Sequence, residues 1–149
     1  MSYTPRILTA SDDLQGVRHA AQMNNKTLPD SRILSTAYLP STEAKVIKLI
    51  PGYATLGTDD TLLLKSGVTN LVAARAIRVA MEIEKSLEYE YKRTREKMAQ
   101  ALEDQAAEDL GGISVLSDEI TPADILRVSG PTRAAKENST FLYETSVIR

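Results

Sequence analysis

The residues able to carry acid–base, nucleophilic or metal chemistry are few in this chain, and their spacing does not suit that work. The single histidine, His19, stands beside Arg18 in a short amphipathic segment with no partner nearby, so it reads as a solvated or satisfied side chain. Asp59 and Asp60 are adjacent carboxylates that a cation would accept, yet acids just behind a Thr58 cap are ordinary helix-start residues. Glu84 and Glu88 lie four apart and supply half of a carboxylate-bridged metal site, but the Glu-x-x-His partner such bundles use is missing. There is no cysteine, which excludes disulfides, thiolate chemistry and cysteine-ligated zinc. "GYATLG" lacks the Lys-Ser/Thr of a phosphate loop, no Gly-x-Gly-x-x-Gly occurs, and no serine sits in a Gly-x-Ser-x-Gly elbow. The sequence therefore offers no catalytic, cofactor-binding or metal-binding residue, and a protein that is not an enzyme is expected.

Nucleic-acid recognition fares little better. The only concentrated basic run, "KRTREK" from Lys92 to Lys97, is embedded in a segment that carries nine acids against five bases over residues 82–109. Those acids repel phosphates, whereas a groove-reading helix presents its bases without them. Two short helices around a proline, residues 30–51, mimic a helix-turn-helix, but the second offers only Lys45 and Lys48 as contacts.

Composition bounds the rest. A chain of 149 residues, 42% hydrophobic, suffices for one compact domain. Its net charge of −2 advertises neither DNA nor an anionic membrane as the main partner. No apolar run reaches the roughly 20 residues of a membrane span, and "MSYTPRILTASDD" lacks the apolar core of a signal peptide, so a cytosolic protein is expected.

The elements follow from punctuation and periodicity. Residues 12–23 form an amphipathic helix with Leu14, Val17 and Ala21 inward. In "LPDSRILSTAYLPSTEAKVIKLIPGYATL" a leucine-proline pair, a small polar residue and an apolar-periodic run occur twice. Asp30 or Ser31 should cap the first helix, carrying Ile33, Leu34, Ala37 and Tyr38, and Pro40 blocks its continuation. Ser41 or Thr42 should cap the second, with Glu43 near the positive end of the dipole and Val46, Ile47 and Ile50 buried, before Pro51-Gly52 ends it. Helices this short are marginal alone and must dock on something larger.

That larger body is the proline-free segment from Thr58 to Leu110, closed by Gly111-Gly112. It reads either as one helix of about 50 residues, about 75 Å long, or as two parted near Gly67 to Asn70. From Leu62 to Ile83 apolar residues cover most of the circumference, as in a central buried helix. From Glu82 onward they thin to Leu87, Tyr91, Met98 and Leu102, on one narrow face with Ile83 and Thr94. Such a seam, on a charged rod projecting from the bundle, needs a partner in the chain's own tail or in a neighbouring subunit. Beyond it, Ile113 to Leu116 is strand-prone and Thr121-Pro122 opens a helical turn ended by Gly130. The terminal "TFLYETSVI" is rich in β-branched and aromatic residues and suits strand addition to another chain.

The fold class expected is thus mainly α: a small helical bundle around one long central helix (about 58–110) with a protruding charged stem, forming a single domain over residues 1–130. An extended C-terminal arm, 131–149, adds a β-strand to a neighbour.

Over residues 25–105 the order of a polar turn, "DSRILSTAYLPSTEAKVIKLI" and the Ala-rich "LKSGVTNLVAARAIRVAM" resembles the head-to-tail connector (adaptor, or head-completion) proteins of tailed bacteriophages. Ala44 and Val46 to Ile50 match the helix that crosses the bundle in that family. The resemblance rests on spacing and residue class, without an invariant motif. It implies a structural virion protein of the phage neck, made in the host bacterial cytoplasm. Its subunits would form a ring under the portal protein, twelve-fold by family resemblance, which extends the DNA channel and docks the next neck or tail protein. DNA would pass without specific binding, with no membrane and no cofactor involved. The arm residues implied to grip the portal are Phe141, Leu142, Tyr143, Val147 and Ile148, and the stem seam of Leu87, Tyr91, Met98 and Leu102 would join neighbouring subunits. The rival is a cytosolic helical regulator that dimerises through a short coiled coil, and a helix-turn-helix DNA binder ranks below it.

Overall fold

The computed structural model describes residues 3–83 and 88–113, and among them it is helical, with no strand. After an irregular N-terminal segment come α1 (Asp13–Ala21), α2 (Asp30–Ile33) and α3 (Leu39–Leu49). A 3-10 turn at Tyr53–Thr55 leads into α4 (Thr58–Ile83) and then α5 (Tyr89–Gly111).

Helix α1 forms where expected. The Asp13 carboxylate accepts the Ala10 N–H at 2.8 Å, and Arg18 and His19 stand in the last turn, where cations suit the dipole. The helix stops as Gln22 turns left-handed (φ 57°), which lets Gln22 and Met23 donate back to the carbonyls of His19 and Arg18. Val17 and Ala21 are buried and Leu14 packs against the core.

The two short helices depart from their expected caps. α2 is a single turn after Pro29, and the Asp30 carboxylate binds Arg18 at 2.6 Å instead of capping the helix. Ala37 is exposed in the turn that follows, while Tyr38 is buried. α3 starts at Leu39, with Pro40 in its first turn, where a missing amide costs nothing. Ser41 and Thr42 therefore lie inside the helix, where Thr42 donates to the Tyr38 carbonyl at 3.0 Å. Val46 and Ile50 are buried as the spacing requires, with Ile47 half-buried.

α4 is the long central helix, and α1, α3 and α5 all pack on it. Val68, Leu71, Val72, Ala73, Ala74, Ala76 and Ile77 are buried round its circumference, although Leu62 at its start is exposed.

The single helix over 58–110 and the protruding stem are corrected. α4 runs unbroken through Gly67, and the chain reverses between Ile83 and Tyr89, with Glu88 extended at φ −66°, ψ 151°. α5 then returns antiparallel along α4, bringing Asp109 to Ser66 (2.6 Å) and Glu103 to Arg78 (2.9 Å). Gly67 is not a kink but a point of close approach, filled by the side chain of Leu110. The face of α5 that meets α4 is built from Ala99, Glu103, Ala106, Ala107 and Leu110. Small alanines let two helices of about 39 and 35 Å lie close together. Gly112 closes α5 as the sequence indicates, donating to the Glu108 carbonyl at 3.0 Å.

Candidate functional site

The sequence-derived seam is divided by the hairpin. Met98 and Leu102 are half-buried against the chain's own core. Tyr91 remains 48% exposed, and Leu87 lies outside the described residues. The arm residues Phe141, Leu142, Tyr143, Val147 and Ile148 also lie outside them, as do Ser114 to Leu116 and the Thr121-Pro122 turn.

The end of α4 and the start of α5 expose large apolar side chains at the tip of the hairpin. Ile83 is 67% exposed and Tyr89 72%, beside Tyr91. A groove of about 290 Å³ is lined by residues that include Met23, Ala80, Met81, Tyr91 and Arg95. Arg95 leaves the basic run to donate to the Ala21 carbonyl at 3.3 Å, with its guanidinium 6.0 Å from the Tyr91 ring centre. It thereby ties the start of α5 to the last turn of α1, whose carbonyls have no partner within the helix. Arg93 and Lys97 of the same run face solvent.

The candidate chemical residues stay apart. His19 is exposed, Asp59 is exposed at the start of α4, and Glu88 is exposed at the start of α5, while Glu84 lies outside the described residues. No group of three or more His, Asp or Glu among the described residues is placed to hold a metal ion. No helix among them is long and apolar enough to cross a membrane. Lys45 and Lys48 are exposed on α3, with Val46 committed to the core.

Two buried carboxylates were missed by sequence reasoning, and both organise the fold. Glu43, fully buried on α3, accepts the Tyr3 hydroxyl at 2.6 Å and the backbone N–H groups of Arg6, Ile7 and Leu8 at 2.8, 2.7 and 2.9 Å. The irregular N-terminal segment thus satisfies its backbone on one side chain, and Ile7 and Leu8 enter the core. Burial, then the hydrogen bond to Glu43, pushes the Tyr3 hydroxyl above its ordinary pKa. Glu103, also buried, takes Arg78 bidentately, Nε and Nη2 each at 2.9 Å, while Arg78 Nη1 reaches Glu96 at 2.6 Å. Burial alone would weaken the Arg78 charge, but the hydrogen bonds to Glu103 and Glu96 outweigh it and raise its pKa above the ordinary arginine value. A signal was present in both cases: Glu43 stands at heptad spacing among Leu39, Val46 and Ile50, and Glu103 among Ala99, Ala106 and Leu110. An acid inside a buried stripe demands partners. One polar atom has none among the described residues, the buried Nε of Arg75.

These arrangements suit holding segments together. Neither buried carboxylate opens on the groove, and each is saturated by donors from its own chain. Against protein-family models, curated proteins and solved structures, the chain finds no match.

Proposed function

We propose that the chain is a structural subunit of a phage neck, a head-to-tail connector that forms a ring under the portal, continues the DNA channel and docks the next neck or tail protein. The observation that carries this reading is the pair of short helices, α2 and α3, leading through Pro51-Gly52 into the all-round apolar α4. That order over residues 25–105 is the one that resembles the connector family. A mechanical role also accords with buried carboxylates that bind the chain to itself.

The hairpin changes which surfaces would serve the ring. Met98 and Leu102 are engaged within the subunit, so the contact between neighbours falls to the exposed tip, Ile83, Tyr89 and Tyr91. Portal contact stays with the arm, through Phe141, Leu142, Tyr143, Val147 and Ile148 adding a strand to the portal chain.

The test is electron microscopy and mass measurement of the full-length chain, and of a version truncated after Gly130, mixed with the portal protein of the same source. A high-order ring on the portal, lost with the truncation, is the expected result. Failure of the full-length chain to dock overturns the reading, whatever its state alone in solution.

A further inference from the structure

The outward face of α5 is arranged against its own interest. Glu90, Thr94, Lys97, Ala101, Asp104 and Glu108 follow one another at alternating steps of four and three residues, and all six are exposed. This is the spacing of a helix–helix seam, on the side of α5 turned away from α4. Its charges are segregated. Residues 92–97 hold four bases and one acid, Glu96, whereas residues 98–111 hold four acids and no base.

Like charges stand four apart in both halves, although Glu90 and Glu96 lie three residues to either side of Arg93. Arg93 and Lys97 are like charges four residues apart, and so are Asp104 and Glu108. Glu108 and Asp109 stand in the last turn of α5, which has no basic residue, where the helix dipole disfavours acids. Among the described residues none of Arg93, Lys97, Asp104 and Glu108 has an ion-pair partner, although Asp104 accepts a hydrogen bond from Gln100.

A second copy lying antiparallel on the same face relieves all of these at once, and we infer that α5 is a self-association surface, two copies meeting about a two-fold axis at Ala101. Lys97 lies four residues before Ala101 and Asp104 three after it, and Arg93 lies eight before and Glu108 seven after. In an antiparallel pair Lys97 therefore faces Asp104 of the partner subunit, and Arg93 faces Glu108 of the partner subunit. Two-fold symmetry makes each bridge twice. The methyl group of Ala101 at the axis permits close approach. The negative end of each dipole also comes to lie beside the other's basic half.

This surface is distinct from the hairpin tip and the arm, and it does not rest on the connector reading. Exposed ion pairs are screened by salt, so the pairing is weak and electrolyte-sensitive. Its dissociation constant should rise at least ~10-fold between about 20 mM and about 500 mM sodium chloride.

The test is a charge swap in the full-length chain, read by analytical ultracentrifugation, with circular dichroism to check that the helices persist. One variant carries Arg93→Glu and Lys97→Glu, the other Asp104→Lys and Glu108→Lys. Each alone should be monomeric at concentrations where the native chain associates, and their equimolar mixture should form a one-to-one heterodimer. A native chain that stays monomeric at low salt, variants that self-associate like the native chain, or a mixture that fails to pair overturns the α5 contact. A native ring whose mass neither variant alters also overturns it, while leaving the connector reading standing.

Discussion

Leu110 occupies the volume in which a side chain on Gly67 would stand: a β-carbon built there comes within 2.5 Å of the leucine Cγ and 2.7 Å of Cδ2. The two helices come close where α5 ends, and the glycine makes that contact possible.

Gly67→Ala should consequently destabilise the protein, against the usual helix preference. Alanine gains about 1 kcal/mol in a helix interior, but overpacking costs about 1–3 kcal/mol. A net loss of about 1 kcal/mol is expected from the urea midpoint. Leu110→Ala should cost less in the Gly67→Ala background than in the native chain, and additive costs would show that the two side chains do not compete.

Glu43→Gln places an amide where a carboxylate receives three backbone donors and a hydroxyl. One of its two terminal atoms becomes a donor facing donors, and a loss of about 2–3 kcal/mol is expected. Hydrogen exchange should localise the damage, with the amides of Arg6, Ile7 and Leu8 losing protection before those of α4.

Removing one member of the buried pair should cost more than removing both. Glu103→Ala leaves Arg78 with only the exposed Glu96, and about 3 kcal/mol should be lost. Combining Glu103→Leu with Arg78→Leu should recover most of it. Chemical denaturation of the single and double variants decides the matter, and equal losses in both would contradict it.

Tyr3 gives a pH signature with a definite sign. Its folded pKa lies above its unfolded value near 10, so its contribution is complete below about pH 10 and declines as pH rises toward the folded value. The native melting temperature should therefore fall more steeply above pH 10 than that of Tyr3→Phe. Parallel curves would count against the Tyr3–Glu43 bond.

Much of this fold was legible in the residues. The apolar circumference of α4, the inward face of α1 and the Gly111-Gly112 stop all stand where periodicity and punctuation place them. The end of α4 at Ile83 and the fresh start of α5 at Tyr89 were not legible, because the intervening "EKSLE" contains neither glycine nor proline and the charged pattern runs through it without interruption. The face of α5 that packs on α4 was not legible for a related reason. Leu87, Tyr91, Met98 and Leu102 are the large apolar residues, and attention to size passes over Ala99, Ala106 and Ala107, which do the packing because they are small. Pro40 was taken as the end of one helix when it opens the next, a choice that local sequence leaves open. Glu43 was read only as a charge near the positive end of a helix dipole and Glu103 was not singled out, because composition does not reveal a carboxylate's neighbours.

The Arg78–Glu103 pair has a consequence beyond the strength of its own bond. The alanines of this hairpin choose poorly between one alignment and another a helical turn along, about 5.4 Å away, since one methyl group serves much like the next. Glu103 removes that degeneracy. Slid by a turn, its carboxylate would lose the two-pronged bond to Arg78, and the penalty for a buried charge parted from its partner exceeds what the alanines could return. The pair works as an address, telling α5 where along α4 to stop.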